Sequence, residues 1–258
     1  MGIVNVTPDS FSDGGRYFDP AAAVEHGFRL AAEGADLLDV GGESTRPGAA
    51  PVEVDEELRR VAPVVEALAR QAGVPVSIDT RKARVAREAI AAGAEAVNDV
   101  SGFEDDAEMI AVVAESGCGA LAMHMQGEPR TMQRAPRYGD VVAEVFAYLR
   151  SRRDALVADG VAAERIALDP GIGFGKTLAH NLALLRSIGR LRELGQPVVV
   201  GHSRKRWIGE LLGDLGADRT AGTLSASIYL AAQGADVLRV HDVGAVRQAI
   251  LLFDALAQ

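Results

Sequence analysis

The chain has 258 residues, 48% of them hydrophobic and 24% charged, which fits a globular protein large enough for a substantial core. A net charge of -9 argues against a general nucleic-acid surface, and no apolar run approaches the roughly 18 residues of a membrane span. The single cysteine, Cys118, excludes an intramolecular disulfide and a multi-cysteine metal site. A polar loop is reached already at Asn5, which leaves no room for a signal peptide, so a cytoplasmic enzyme is expected. Only three of the 27 basic residues are lysines (Lys82, Lys176 and Lys205). In so arginine-biased a chain each lysine merits notice, because an ammonium and a guanidinium differ in shape and titration.

The apolar run Met1 to Val4 reads as a strand that opens into the loop Asn5 to Gly15. Pro20 to Gly34 has helical spacing, Asp36 to Val40 is a strand, and Gly41 to Pro51 is a loop. Val54 to Gln71 is an amphipathic helix with acids in its first turn, where the macrodipole favours them. Pro75 to Asp79, Ala96 to Val100, Gly119 to His124, Arg165 to Asp169, Pro197 to Gly201 and Ala235 to Val240 complete eight predicted strands. The predicted helices between and after them are Lys82 to Ala92, Asp106 to Glu115, Val141 to Ala158, Leu178 to Leu194, Arg204 to Leu212, Ala221 to Gln233 and Val243 to Leu256, the last capped by Asp242.

Short apolar strands alternating with helices predict a parallel sheet buried on both faces. No linker divides the chain, so the reading is α/β: one (β/α)8 TIM barrel over residues 1–258, with a doubly wound open sheet as the alternative. In a barrel the C-terminal strand ends surround the active site. Those ends carry Asn5, Asp39, Asp79, Asn98, His124, Asp169, Ser203 with Lys205, and Arg239 with His241. A single one of these is as well explained as a loop cap, but eight polar ends together argue for a site. Asp39, Asp79, Asp169 and Asn98 suit the amino-rich edge of a flat heterocycle, by charge-assisted hydrogen bonds. Arg239, His241 and Arg46 suit an anion near the start of the last helix. The expected mouth is therefore polarised, with acids and amides on one side and anion binders on the other.

Other motifs fail on spacing. Gly171 to Thr177 resembles a phosphate-binding loop, but Pro170 stands where its first glycine is needed. Asp9 to Gly14 resembles a calcium loop until Phe11 and Pro20 break the ligand pattern. His124, His202 and His241 sit at three strand ends, yet with carboxylates between them and no HExxH motif a zinc site is disfavoured. Cys118 is read as a small core residue, and His26 and His180 as surface helix residues.

Several stretches, in order along nearly the whole chain, resemble the dihydropteroate synthase family: Asn5 to Gly15, Asp39 to Gly48, Ser77 to Thr80, Asn98 to Gly102, His124 to Gly127, Leu168 to Lys176, Ser203 to Lys205 and Arg239 to Asp242. The resemblance implies a transferase of folate synthesis that joins 4-aminobenzoate to (7,8-dihydropterin-6-yl)methyl diphosphate, releasing diphosphate. It implies a pterin site of Asp79, Asn98, Asp169 and Lys205, with Met123 and Phe174 packed on the ring. It implies diphosphate binding by Asn5, Thr45, Arg46, Arg239 and His241, with Asn5 a ligand of Mg2+. Phe11, Thr45, Pro47 and Ser203 would frame 4-aminobenzoate, Phe11 from a lid over Thr7 to Gly15. Asp79, Lys205, Arg239 and His241 would carry the catalytic work, and a homodimer is implied.

Two departures stand out. The family usually has a short strand pair before the first barrel strand, whereas the sequence given starts directly in that strand, so either its start is truncated or something else covers that end of the barrel. His202, Arg206 and Trp207 flank the expected aminobenzoate rim, where His202 replaces a small or apolar residue. The alternative activity is that of a pterin-binding methyltransferase on the same barrel, which has no need of Arg239, His241 or the Thr45–Pro47 loop. A catalytically dead barrel would instead show losses among the strand ends, and none is seen.

Overall fold

The computed structural model describes residues 1–7, 20–45 and 48–257. Eight strands alternate with helices: β1 Gly2–Asn5, β2 Leu38–Gly41, β3 Val76–Asp79, β4 Ala96–Asp99, β5 Gly119–Met123, β6 Ile166–Asp169, β7 Val199–Gly201 and β8 Val237–Arg239. β1 to β6 form one parallel ladder in chain order, and β7 pairs with β8. The two ladders meet at both seams through single parallel bridges, Leu168 with Val198 and Gly2 with Val240. Leu168 N donates to Pro197 O at 2.9 Å on one side, and Ile3 N to Val240 O at 3.0 Å on the other. The result is the predicted barrel, with thinner pairing at the two seams.

Side chains alternate across a strand with a period of two. One parity of each strand faces outward into the main core: Val4, Leu38, Val40, Val76, Ile78, Val97, Ala120, Ala122, Ile166, Leu168, Val198 and Val200 all belong to it. The other parity lines the interior. Low in the barrel it is apolar, where Met1, Leu121 and Val199 cluster with Leu37, Ala167 and Val237. Two residues further along the same strands it becomes Asp39, Met123, Asp169, Gly201 and Arg239. The mouth is therefore the upper layer of one set of inward positions.

The helices are α1 Pro20–Ala32, α2 Val54–Gln71, α3 Ala83–Ala91, α4 Met109–Ser116, α5 Val141–Ala158, α6 Leu178–Arg186, α7 Ile188–Leu191, α8 Arg206–Leu212, α9 Thr220–Ala232 and α10 Val243–Ala257. The predicted helix Leu178 to Leu194 is broken into α6, α7 and a 3-10 turn at Arg192–Leu194. The break falls at Ser187, in the weak helix-forming run Ser187-Ile188-Gly189. α4 begins later than predicted because Asp106 serves a turn: its carboxylate accepts from Ala83 N at 2.8 Å and Glu108 N at 3.1 Å. Asp242 does not cap α10. Its carboxylate takes Arg204 Nε at 2.9 Å, and Gly244 N donates instead to Glu33 at 3.2 Å. No helix among the described residues is long and apolar enough to cross a membrane.

Two histidines expected near the mouth are packing residues. His202 is fully buried and its Nε2 pairs with Ser227 Oγ of α9 at 2.8 Å, so it lies behind β7. Burial pushes its imidazole down to about 4. His124 meets Tyr148 edge-on at 4.8 Å, and burial aided by Lys176 pushes it down to about 3. Because both folded values lie below the ordinary 6.5, the unfolded chain binds more protons as pH falls. Each histidine thus adds stability that is full above about pH 6.5 and is lost toward acid, about 2 kcal/mol by pH 5. Buried carboxyls that are raised, such as Asp79 and Asp99, act with the opposite sign. A comparison with His202→Gln isolates the histidine. Denaturant midpoints of the wild type and the variant, taken at pH 7.5 and pH 5 as about the ends of this window, should converge at the lower pH; a constant gap would show that His202 is not held neutral.

Candidate active site

Asp39 lies on the inward face of β2, one inward position before Gly41, and is fully buried. Its Oδ1 accepts from Ser77 Oγ at 2.6 Å, and its Oδ2 from Asn98 Nδ2 at 3.0 Å and Arg239 Nε at 2.6 Å. Arg239 Nη2 donates to Asp79 Oδ2 at 2.8 Å. One guanidinium from β8 thus spans carboxylates from β2 and β3, across the interior. Burial raises the Asp79 carboxyl, against the opposing pull of Arg239. Burial works against the Arg239 charge too, but Asp39 and Asp79 hold that charge on.

Asp169 is held differently. Its Oδ1 accepts from Gly171 N at 2.6 Å and its Oδ2 from Gly201 N at 3.3 Å. Lys205 lies beside it: a methyl group placed on Gly201 would sit 3.7 Å from both Asp169 Oδ2 and Lys205 Nζ, and 3.9 Å from Arg239 Cδ. Three charged groups therefore converge over Gly201, whose lack of a side chain leaves the space open. Lys205 Nζ donates to Ile172 O and stands 4.6 Å from the centre of the Phe174 ring. Burial lowers its ammonium to about 8, so its proton is only loosely held near neutrality. Met123 is buried one strand away from Asp169, in register with it.

Ser203 is buried, with its Oγ 3.0 Å from His241 Nδ1 and accepting from His241 N at 3.3 Å. Asn5 ends β1 half-buried and in register with Gly41. Thr45 is half-buried in the loop after β2. Phe11, Arg46 and Pro47 lie outside the described residues, as does most of the Thr7–Gly15 lid.

The structure corrects three expectations. The mouth is not divided into an acidic and a basic side, because Arg239 is paired with Asp39 and Asp79: two carboxylates buried in the ring require a counter-charge, and β8 supplies it. His124 is turned out of the mouth. Its Nδ1 is 2.9 Å from Lys176 Nζ, which also donates to His124 O at 3.3 Å and Phe174 O at 3.0 Å. Lys176 is therefore a tie between the loops after β5 and β6, and Gly171 permits that tie: its φ is +66° and a methyl group there would collide with His124 O. Finally, the three residues expected to flank the aminobenzoate rim point elsewhere: His202 faces α9, Arg206 is exposed and paired with Glu210, and Trp207 is in the core. Sequence reasoning gave no role to Ser77 or Asp39's bond to Asn98; the period of two from Asp79 and Asp39 was the available signal.

Residues 1–241 match the family of pterin binding enzymes. Dihydropteroate synthase of Escherichia coli strain K12 is 46% identical over 255 residues, covering 99% of this chain and 90% of that one. The Mycobacterium leprae dihydropteroate synthase is 48% identical over 265 residues, covering 99% and 92%. Among solved structures, Xanthomonas albilineans dihydropteroate synthase with 4-aminobenzoic acid superposes with a TM-score of 0.93 at 50% identity, covering 100% of this chain and 92% of that one. The same organism's enzyme in complex with 7,8-dihydropteroate gives 0.89 at 48% identity, with the same coverage. With its strand-end charges gathered in one barrel mouth and its whole length matched, the chain belongs to the dihydropteroate synthase family of pterin-binding enzymes.

Proposed function

We propose that the mouth condenses 4-aminobenzoate with (7,8-dihydropterin-6-yl)methyl diphosphate by dissociative substitution, with its residues in the following roles. The observation that carries the reading is the convergence of Asp79, Asn98, Asp169, Lys205 and Arg239 at the top of one ring. Asp79, Asn98 and Asp169 offer hydrogen-bonding edges to the pterin, Lys205 adds a donor, and Met123 and Phe174 face the ring. Asp39 holds Asn98 and Arg239 in place rather than touching substrate. Lys205, Arg239 and His241, with Thr45 and Arg46, take up the charge of the departing diphosphate. As that bond breaks, positive charge spreads into the pterin, and the Asp79 carboxylate stabilises it in a site closed to water. The arylamine is neutral near pH 7 and needs only to be positioned, by Phe11, Pro47 and Ser203.

Among the described residues no group of three or more His, Cys, Asp or Glu is arranged to hold an ion. Mg2+ delivered with substrate phosphates keeps several waters and takes one or two protein ligands, and the half-buried amide of Asn5 at the end of β1 would be such a ligand. When bound, Mg2+ contributes positive charge at the leaving diphosphate.

A cytoplasmic setting fits a chain whose one thiol, Cys118, is free and buried. A homodimer through α9 and α10 is supported by the large apolar side chains these adjacent helices leave exposed, Tyr229, Leu251, Leu252 and Leu256. Sedimentation equilibrium should return twice the mass of 27.1 kDa, and a monomer at micromolar concentration would refute it.

Diphosphate release from the pterin substrate, with and without 4-aminobenzoate, tests the reaction: release should require the arylamine or leave a trapped pterin product, and none in either case would overturn the reading. Asp79→Asn and Phe11→Ala should then separate the two substrates. The first is expected to lower kcat by about 100-fold or more with a smaller loss of pterin affinity. The second should raise KM for 4-aminobenzoate and spare pterin binding. Equal losses in turnover and pterin affinity for Asp79→Asn would reduce it to a binding group.

A further inference from the structure

Lys82 is the one lysine with no part in the reaction or in the loop tie made by Lys176, yet four-fifths of its side chain is covered. It stands just before α3, in the turn that follows Asp79. Its Nζ donates to Glu43 Oε2 at 2.6 Å and also to Glu57 Oε2. Glu57 lies on α2 and is only 1% exposed. Its second oxygen accepts from Thr80 Oγ1 at 2.7 Å, and Thr80 is the residue next to Asp79. Glu43 lies in the loop after β2. It accepts from Arg81 Nη2 at 2.7 Å and from Val52 N at 2.9 Å. Arg60 Nη1 adds a bond to Gly42 O at 2.9 Å, and a methyl group on Gly42 would strike Val61, so the start of this loop lies flush on α2.

The loop that carries Thr45 is thus fastened at Gly42 and Glu43 on one side and at Val52 on the other. Gly42 is held by Arg60 and Val61 of α2, while the hold on Val52 runs through the Glu43 carboxylate, and Glu43 runs through Lys82 to the Glu57–Thr80 pair behind Asp79. A buried Glu57 carboxylate is a poor way to gain stability, since an apolar pair of equal volume in the same place is often as stable or more so. In several systems a buried charged network is kept because it fixes one defined geometry. A compact ammonium also suits the position: it meets two carboxylates from different elements at a single point, which a planar guanidinium does not reproduce.

We propose that Lys82, together with Glu43 and Glu57, is a positioning group that sets the Thr45 loop in register with Asp79, and so couples diphosphate binding to the pterin pocket. The proposal rests on the reading of that loop as a diphosphate binder. Lys82 touches neither substrate.

The test uses the full chain as Lys82→Met, Lys82→Arg, Glu43→Gln and the double variant Glu43→Gln/Lys82→Met. Calorimetric titrations are run with diphosphate plus Mg2+ and, separately, with 6-hydroxymethylpterin, alongside steady-state rates and near-UV circular dichroism. Wild-type binding of diphosphate decides the underlying reading of the loop; if the wild type binds none, that reading falls and the proposal with it. Given wild-type binding, Lys82→Met and Glu43→Gln should each weaken diphosphate and lower kcat/KM by about 10- to 100-fold, the scale of an ångström-level misplacement. Affinity for 6-hydroxymethylpterin should stay within about twofold, because a free pterin makes no use of the loop. Lys82→Arg should fail to restore turnover, and the double variant should lose little more than the worse single one, as members of one unit do. Unchanged diphosphate affinity, additive losses in the double variant, full rescue by arginine, or parallel losses of both ligands that track the folded fraction would each overturn the proposal.

Discussion

A carboxylate in the interior of a closed barrel has no water to turn to, and its charge must be met from across the ring. Asp39 meets that demand with three donors from three strands: Ser77 of β3, Asn98 of β4 and Arg239 of β8. Much of the mouth is arranged by this one requirement. Asn98 is oriented by it, because its amide nitrogen is committed to Asp39 and its carbonyl oxygen must face elsewhere. Arg239 is oriented by it, because Nε on Asp39 leaves Nη2 for Asp79. The result is a site whose polar groups are fixed by one another before any ligand arrives, which is the condition for electrostatic stabilisation of a transition state.

The order of the strands made the eightfold pattern legible from sequence, since short apolar runs ending in polar residues recur between helical stretches. That Asp39, Asp79, Asn98, Asp169, Lys205 and Arg239 meet in the mouth was legible too, though their pairing was not. The misassignments share one cause. Strand ends were collected by their chemistry, whereas the barrel sorts them by parity. Met123 faces inward, so the next residue, His124, is turned to Lys176 and Tyr148. Gly201 faces inward, so His202 is turned to Ser227. Pairings such as Arg239 with Asp39, 200 positions apart, have no local signal at all; only ring closure between β8 and β1 brings them near. The broken helix at Ser187 is a smaller case, where apolar periodicity continued through a run too weak in helix propensity to sustain it.

Lysine usage is a signal of a different kind. The chain uses arginine almost everywhere a surface cation suffices, including the exposed pairs of Arg59 and Arg70 with acids on α2. Its three lysines are all where several acceptors converge on a point: two carboxylates at Lys82, two carbonyls and an imidazole at Lys176, and the Ile172 carbonyl beside Asp169 at Lys205. Guanidinium groups deliver donors in a plane, while an ammonium delivers three in a tetrahedral cone. Composition alone thus pointed to positions that the polar architecture depends on, although it did not say what they hold.

Asp99 shows why parity matters more than residue type. It follows Asn98 directly and, like Asp79, is an aspartate that ends a strand, but it is fully buried where Asp79 is half-buried. Yet it faces outward, into the layer between strands and helices. There its Oδ1 accepts from Ser101 N at 2.7 Å and Ser101 Oγ at 2.6 Å, while its Oδ2 has no hydrogen-bond partner among the described residues. Burial pushes its carboxyl up to about 6, with Ser101 opposing. A raised carboxyl of this kind would be taken for a catalytic acid if perturbation were the criterion. Here it accompanies the turn that takes the chain out of β4 toward α4, on the outward face of the strand. Asp79 is raised by the same burial but looks into the mouth, with Arg239 beside it. The two differ by one step along a strand, and that step separates a turn residue from a group able to stabilise developing charge.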